Sequence, residues 1–86
     1  MKIELAASEP TWISLTDADG NKLMTRLLSP GDKRTLELEN PATLRTGNAG
    51  GLLVSLDGKA LGTIGPRGKV REIKFSGGAF KIVAPE

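Results

Sequence analysis

Apolar and polar positions alternate in short runs along most of this chain. Residues 2–7 (KIELAA) put Ile3 and Leu5 on one side. Residues 11–16 (TWISLT) set Ile13 and Leu15 on one face and Trp12, Ser14 and Thr16 on the other. Residues 22–28 separate Leu23, Thr25 and Leu27 from Met24, Arg26 and Leu28, and residues 33–38 turn Leu36 and Leu38 inward. Residues 43–46 are brief, with Leu44 as their core residue. Residues 52–56 oppose Leu52, Val54 and Leu56 to Leu53 and Ser55. Residues 70–75 place Arg71, Ile73 and Phe75 against Val70, Glu72 and Lys74; the apolar pair marks the inner face, with Arg71 at the strand's edge. Phe80 and Ile82 close the pattern. A period of two is the signature of half-buried strands. No segment keeps a helical period over about 11 residues.

The breaks between the runs carry turn chemistry. Pro10 ends the first run. In DADGN (17–21), Asp and Asn bond their own backbone and Gly20 supplies positive φ. In SPGD (29–32), Pro30 presets φ and Gly31 relaxes it. Asn40-Pro41 stops the fourth run, Asp57-Gly58 is a strong hairpin signal, and Gly77-Gly78 turns the chain again. Residues 61–68 are glycine-rich and read as loops. Turns spaced roughly 8–12 residues apart predict an all-β fold: a small Ig-like β-sandwich of about seven or eight strands. A small open barrel is the alternative. Trp12 has two places open to it, the core or a cap at one end where its N–H reaches a partner.

Length changes this picture little. Eighty-six residues fit one domain, expected to run over residues 1–86. A chain of this size buries only about 60–65% of its unfolded surface, so its margin of stability is thin. There is no cysteine for a disulfide or thiolate site and no histidine for acid–base work near neutral pH. The formal net charge is +2. The aromatic residues are Trp12, Phe75 and Phe80, too few to serve both a core and a base-stacking platform. No apolar run approaches the roughly 20 residues of a membrane helix, and no signal peptide opens the sequence, so the segment is expected to be soluble.

Three stretches invite chemistry. TGNAGG (46–51) resembles a phosphate cradle, but a phosphate loop needs G-x-x-x-x-G-K-[ST]. Before Gly68-Lys69 the first glycine is replaced by Thr63, and Val70 stands where a hydroxyl is needed. Gly58-Lys59 has Leu53 in the first place, and no helix follows either step. A dinucleotide fingerprint lacks its strand–turn–helix setting. The plain reading is that Asn48 and the glycines shape a connection between strands. DADGN alternates Asp17, Asp19 and Asn21 as a calcium loop would, yet the sixth position holds Lys22 and the twelfth Leu28, so a hairpin turn is expected. No S-x-x-K pair is present for a serine nucleophile. No enzyme activity and no cofactor are expected. Lys59, Arg67, Lys69, Arg71, Lys74 and Lys81 crowd the last third against Glu72 and Glu86. That excess suits an anionic partner, although strand alternation is expected to divide it between two faces.

The order of several elements resembles a known family. Trp12 opens a strand in EPTWISLTD, and the DADG turn follows it. Next come Leu28 and Gly31 in LLSPGD, then Pro41 and Leu44 in NPATLRTGNAGG, with its Gly47-Asn48-Ala49-Gly50 run. Asp57-Gly58-Lys59 and the Leu61-Gly62 and Gly65 region complete the series. Over residues 8–75 the chain is similar to the C-terminal domains of RodZ, a membrane-tethered bacterial cell-shape protein with a cytoplasmic helix-turn-helix domain that contacts an actin-like filament. Residues 77–86 add a last strand without a counterpart. The helix-turn-helix and the membrane span are absent, so neither filament nor DNA binding carries over.

The resemblance implies a non-enzymatic protein-interaction module, periplasmic or extracytoplasmic and membrane-anchored in the full-length protein. It would contribute to rod-shape maintenance and cell-wall elongation. Its expected partners are proteins of the elongation machinery, with no nucleic acid for this domain. Candidate contact residues are Arg45, Gly47, Asn48, Gly50 and Lys59. The alternative is a glycan- or ligand-binding sensor of a membrane-tethered helix-turn-helix protein, for which Trp12 is the plausible exposed ring. A small barrel binding nucleic acid is disfavoured by the few aromatics and modest charge.

Overall fold

The computed structural model describes residues 1–84; Glu86, and with it the end of the added stretch from Gly77, lies outside the described residues. Among the described residues nine strands form two antiparallel sheets. They are β1 (Lys2–Ala7), β2 (Thr11–Asp17), β3 (Lys22–Leu28), β4 (Lys33–Glu37), β5 (Ala42–Thr46), β6 (Leu52–Leu56), β7 (Lys59–Ala60), β8 (Arg71–Ser76) and β9 (Ala79–Val83). The four-stranded sheet runs β4-β1-β6-β7 and the five-stranded sheet β3-β2-β5-β8-β9. This is the expected sandwich. The strand beyond the expected seven or eight is β7, two residues that form only because the Asp57-Gly58 turn folds them back on β6.

Alternation decides which face meets the core. Ile3, Leu5, Leu52, Val54 and Leu56 from the four-stranded sheet are buried against Ile13, Leu15, Leu44, Ile73 and Phe75 from the other. The order of elements makes the chain change sheets repeatedly: after β1, β3, β4, β5 and β7. Each hairpin stays within a sheet. Each crossing must satisfy its backbone without a ladder partner.

The turns show how. Asp57 and Gly58 have φ of 49° and 87°, the pair of positive values that a two-residue hairpin of matching twist requires. Asp57 also extends the β1–β6 ladder: its N–H donates to the Lys2 carbonyl and its Oδ1 accepts the Lys2 N–H, both at 2.8 Å. At 29–32, the Asp32 carboxylate accepts the Ser29 N–H at 2.8 Å, while Gly31 and Asp32 exchange hydrogen bonds with Ala7. In DADGN the Asp17 carboxylate accepts the N–H groups of Asn21 and Asp19, each at 2.9 Å. The Asn21 backbone bond, followed by the Asn21 side-chain amide and the N–H groups of Asp19 and Gly20, holds the Asp17 carboxyl below its ordinary value of 3.8 against a smaller opposing effect of burial.

Candidate interaction surfaces

The connection from β5 to β6 answers what TGNAGG is for. Here the chain leaves the five-stranded sheet, makes one 3-10 turn over Ala49–Gly51, and enters the other sheet. Asn48 is its hub. Its Nδ2 donates to Glu9 Oε1 and to the Pro10 carbonyl, both at 3.2 Å, and its Oδ1 accepts the Gly68 N–H at 2.7 Å. Its own N–H donates to Thr11 Oγ1 at 3.0 Å, and Thr11 shares a buried 2.7 Å hydroxyl bond with Thr46. The Ala49 N–H reaches the Lys69 carbonyl at 2.9 Å, and the Gly51 carbonyl takes the Ser8 N–H at 2.8 Å. Glu9 Oε2 also pairs with Arg67 at 2.6 Å. Three remote segments, 8–11, 46–51 and 66–69, are therefore tied at one asparagine.

The glycines make room for that knot. A Cβ on Gly50 would stand 2.5 Å from both N and Cα of Arg67, and one on Gly51 would stand 2.7 Å from Asn48 Nδ2. A Cβ on Gly47 would occupy the space of the Trp12 indole. The indole thus lies against the Gly47 backbone, whose N–H donates to the Trp12 carbonyl at 2.9 Å. Of the two places open to it, Trp12 takes neither the core nor a cap. It lies on the outer face of the five-stranded sheet and is 40% exposed.

Register defines the rest of that face. Trp12 pairs with Leu27, and Ser14 with Thr25 and Arg45. Arg45 pairs in turn with Glu72, and Thr43 with Thr16 and Lys74, which lies beside Lys81. Trp12, Ser14, Thr16, Lys22, Thr25, Thr43, Arg45 and Glu72 line a shallow depression of about 380 Å³. Arg45 and Glu72 face each other across the ladder without forming an ion pair; among the described residues the pairs are Lys2–Glu4 and Glu9–Arg67.

A second surface lies at the open side of the sandwich, where edge strands β7 and β9 end the two sheets. Leu56, Lys59, Leu61 and the exposed ring of Phe80 border a cleft of about 530 Å³ there. Among the described residues no strand lies beside the outer backbone of β9.

Residues 4–74 match the model of the RodZ C-terminal domain. The chain belongs to that family. The match runs from β1 into β8, so β9 and the Gly77-Gly78 turn lie beyond it. Among curated proteins and among solved structures, no match to the chain is found. Family membership makes this a domain of a RodZ-like cell-shape protein, and the family is one of structural and interaction modules.

The five candidate contact residues fall in three places. Arg45 projects from the outer face of the five-stranded sheet, and Lys59 is exposed at the β7 edge. Gly47, Asn48 and Gly50 sit in the knot: one beneath Trp12, one with its amide engaged on three internal partners, one against Arg67. Sequence reasoning missed that Ile64, in the glycine-rich loop, is a core residue only 4% exposed. Its signal was an isolated apolar side chain between glycines, without a period. It also missed that Trp12 and Leu27 are cross-strand neighbours.

Proposed function

We propose that this domain is a non-enzymatic contact module, the extracytoplasmic part of a membrane-anchored RodZ-like protein, and that it docks proteins of the cell-wall elongation machinery. The observation that carries this reading is the family match over residues 4–74. The cleft beside Lys59 supports it. Phe80 is 44% exposed there, large enough to anchor a partner side chain, and the free edge of β9 can accept an extended segment by strand addition. Lys59 at the rim adds a charge that selects among partners. None of this needs a reacting group.

The test is crosslinking in the intact, membrane-anchored protein. A photo-reactive residue at Lys59 or Phe80 is expected to give adducts with an elongation protein, whereas one at Glu37 on edge strand β4 gives none. Equal adducts from all three positions, or none from Lys59 and Phe80, would remove the docking role assigned to this edge. The exposure of Trp12 favours a second, carbohydrate-contacting role on a different face.

A further inference from the structure

The outer faces of the two sheets differ in charge. On the four-stranded sheet, register places Lys2, Lys33, Glu4 and Glu37 outward, and these cancel. On the five-stranded sheet, Lys22, Arg45, Lys74 and Lys81 stand outward against Glu72 alone, four cations to one carboxylate. The same face carries Trp12 and a set of hydroxyls from Ser14, Thr16, Thr25 and Thr43. Five strands spaced about 4.8 Å apart make it about 19 Å wide, the footprint of an extended chain rather than of one small molecule.

We infer that this face binds an acidic polysaccharide: a chain of pyranose rings carrying carboxylates. The Trp12 platform is the first reason. Because Gly47 has no side chain, the indole packs one side on the backbone and leaves the rest to solvent, beside the exposed Leu27. A half-exposed ring anchored in this way offers an apolar surface to the C–H face of a sugar at little entropic cost. The hydroxyls match the polar rim of the ring, since each can both donate and accept. The cations supply the charge match. Arg45 is central, fork-shaped and in no ion pair among the described residues, suited to a carboxylate; Lys74 and Lys81 adjoin each other across the β8–β9 ladder. A flat anionic bilayer would meet the outlying cations but would not enter the depression that Trp12 and the hydroxyls line, whereas a sugar ring can seat in it, so the polysaccharide is favoured. This face is separate from the β7–β9 cleft, and either role can fail without the other.

The test is a titration of the domain with a polygalacturonate octasaccharide, read by the emission of Trp12, the chain's one tryptophan. The neutral control is maltooctaose, and the lipid control is vesicles containing phosphatidylglycerol. Saturable change with the acidic sugar is expected, weakened at least roughly tenfold in K74E and by added salt, and at least several-fold weaker for the neutral sugar. Trp12→Ala is expected to abolish binding, measured by calorimetry, while Trp12→Phe keeps most of it; thermal melts show whether each variant is folded. No response to the acidic sugar at millimolar concentration would overturn the proposal. So would binding that survives in a folded W12A, binding unaffected by K74E, equal binding of the neutral sugar, or tighter binding to the vesicles.

Discussion

Asn48→Ala cuts the knot at its centre with little change to the core. The side chain makes three hydrogen bonds, to Glu9, Pro10 and Gly68, over sequence separations of 39, 38 and 20 residues. A net hydrogen bond contributes about 0.5–1.5 kcal/mol, and partial exposure keeps these toward the lower half. Their loss together costs about 2 kcal/mol. A domain of this length has a total stability of roughly 4–13 kcal/mol, so the fraction is large. In a domain of this size each kcal/mol shifts Tm by about 4–8 °C, which puts the drop at about 8–16 °C. Asn48→Asp sharpens the test. It keeps an acceptor for the Gly68 N–H but turns oxygen toward the Glu9 carboxylate and the Pro10 carbonyl, and at neutral pH it is expected to cost at least as much as alanine. The assay is reversible thermal unfolding followed by far-UV circular dichroism, with Trp12 emission as a reporter beside the knot. A Tm for N48A within about 3 °C of the parent would refute the hub role; so would an Asn48→Asp variant as stable as the parent.

Other positions give independent checks. Gly50→Ala sets a Cβ against the Arg67 backbone, which cannot swing away, and is expected to cost about 1–3 kcal/mol in urea unfolding. Ile64→Ala should cost about 2–5 kcal/mol, whereas the exposed Leu53→Ala stays within about 0.5 kcal/mol; comparable losses would show that the 61–68 loop does not close the core. Asp17 titrates lower in the folded chain than its ordinary 3.8, so its contribution is fully present above that value and fades as pH falls through the lower, folded value. The urea midpoints of the parent and of Asp17→Asn are therefore expected to differ at pH 6 and to converge at acid pH; a gap that persists there would contradict the turn's electrostatics.

What could be read from the chain was what depends on near neighbours. Leu52, Val54 and Leu56 are inward because alternation leaves one apolar face, and Asp57-Gly58 turns because its two residues take positive φ. The family resemblance rested on the same local turns, and the match over residues 4–74 agrees with it. The knot was not legible, because every partner of Asn48 outside its own loop lies 20 or more residues away. TGNAGG announced a bend and hid the reason: two glycines are kept small by Trp12 and Arg67, not by their own φ. The charged outer face was hidden for a related cause. Arg45, Lys74 and Lys22 come from three strands, and only register brings them to one side.

The most direct measurement is of cell shape after the domain is deleted from the membrane-anchored parent proposed for it, leaving the rest of that protein intact. Loss of rod shape, restored by the parent domain and by a folded Leu53→Ala control but not by one altered at Lys59 and Phe80, is the predicted result. Normal rods without the domain would contradict it.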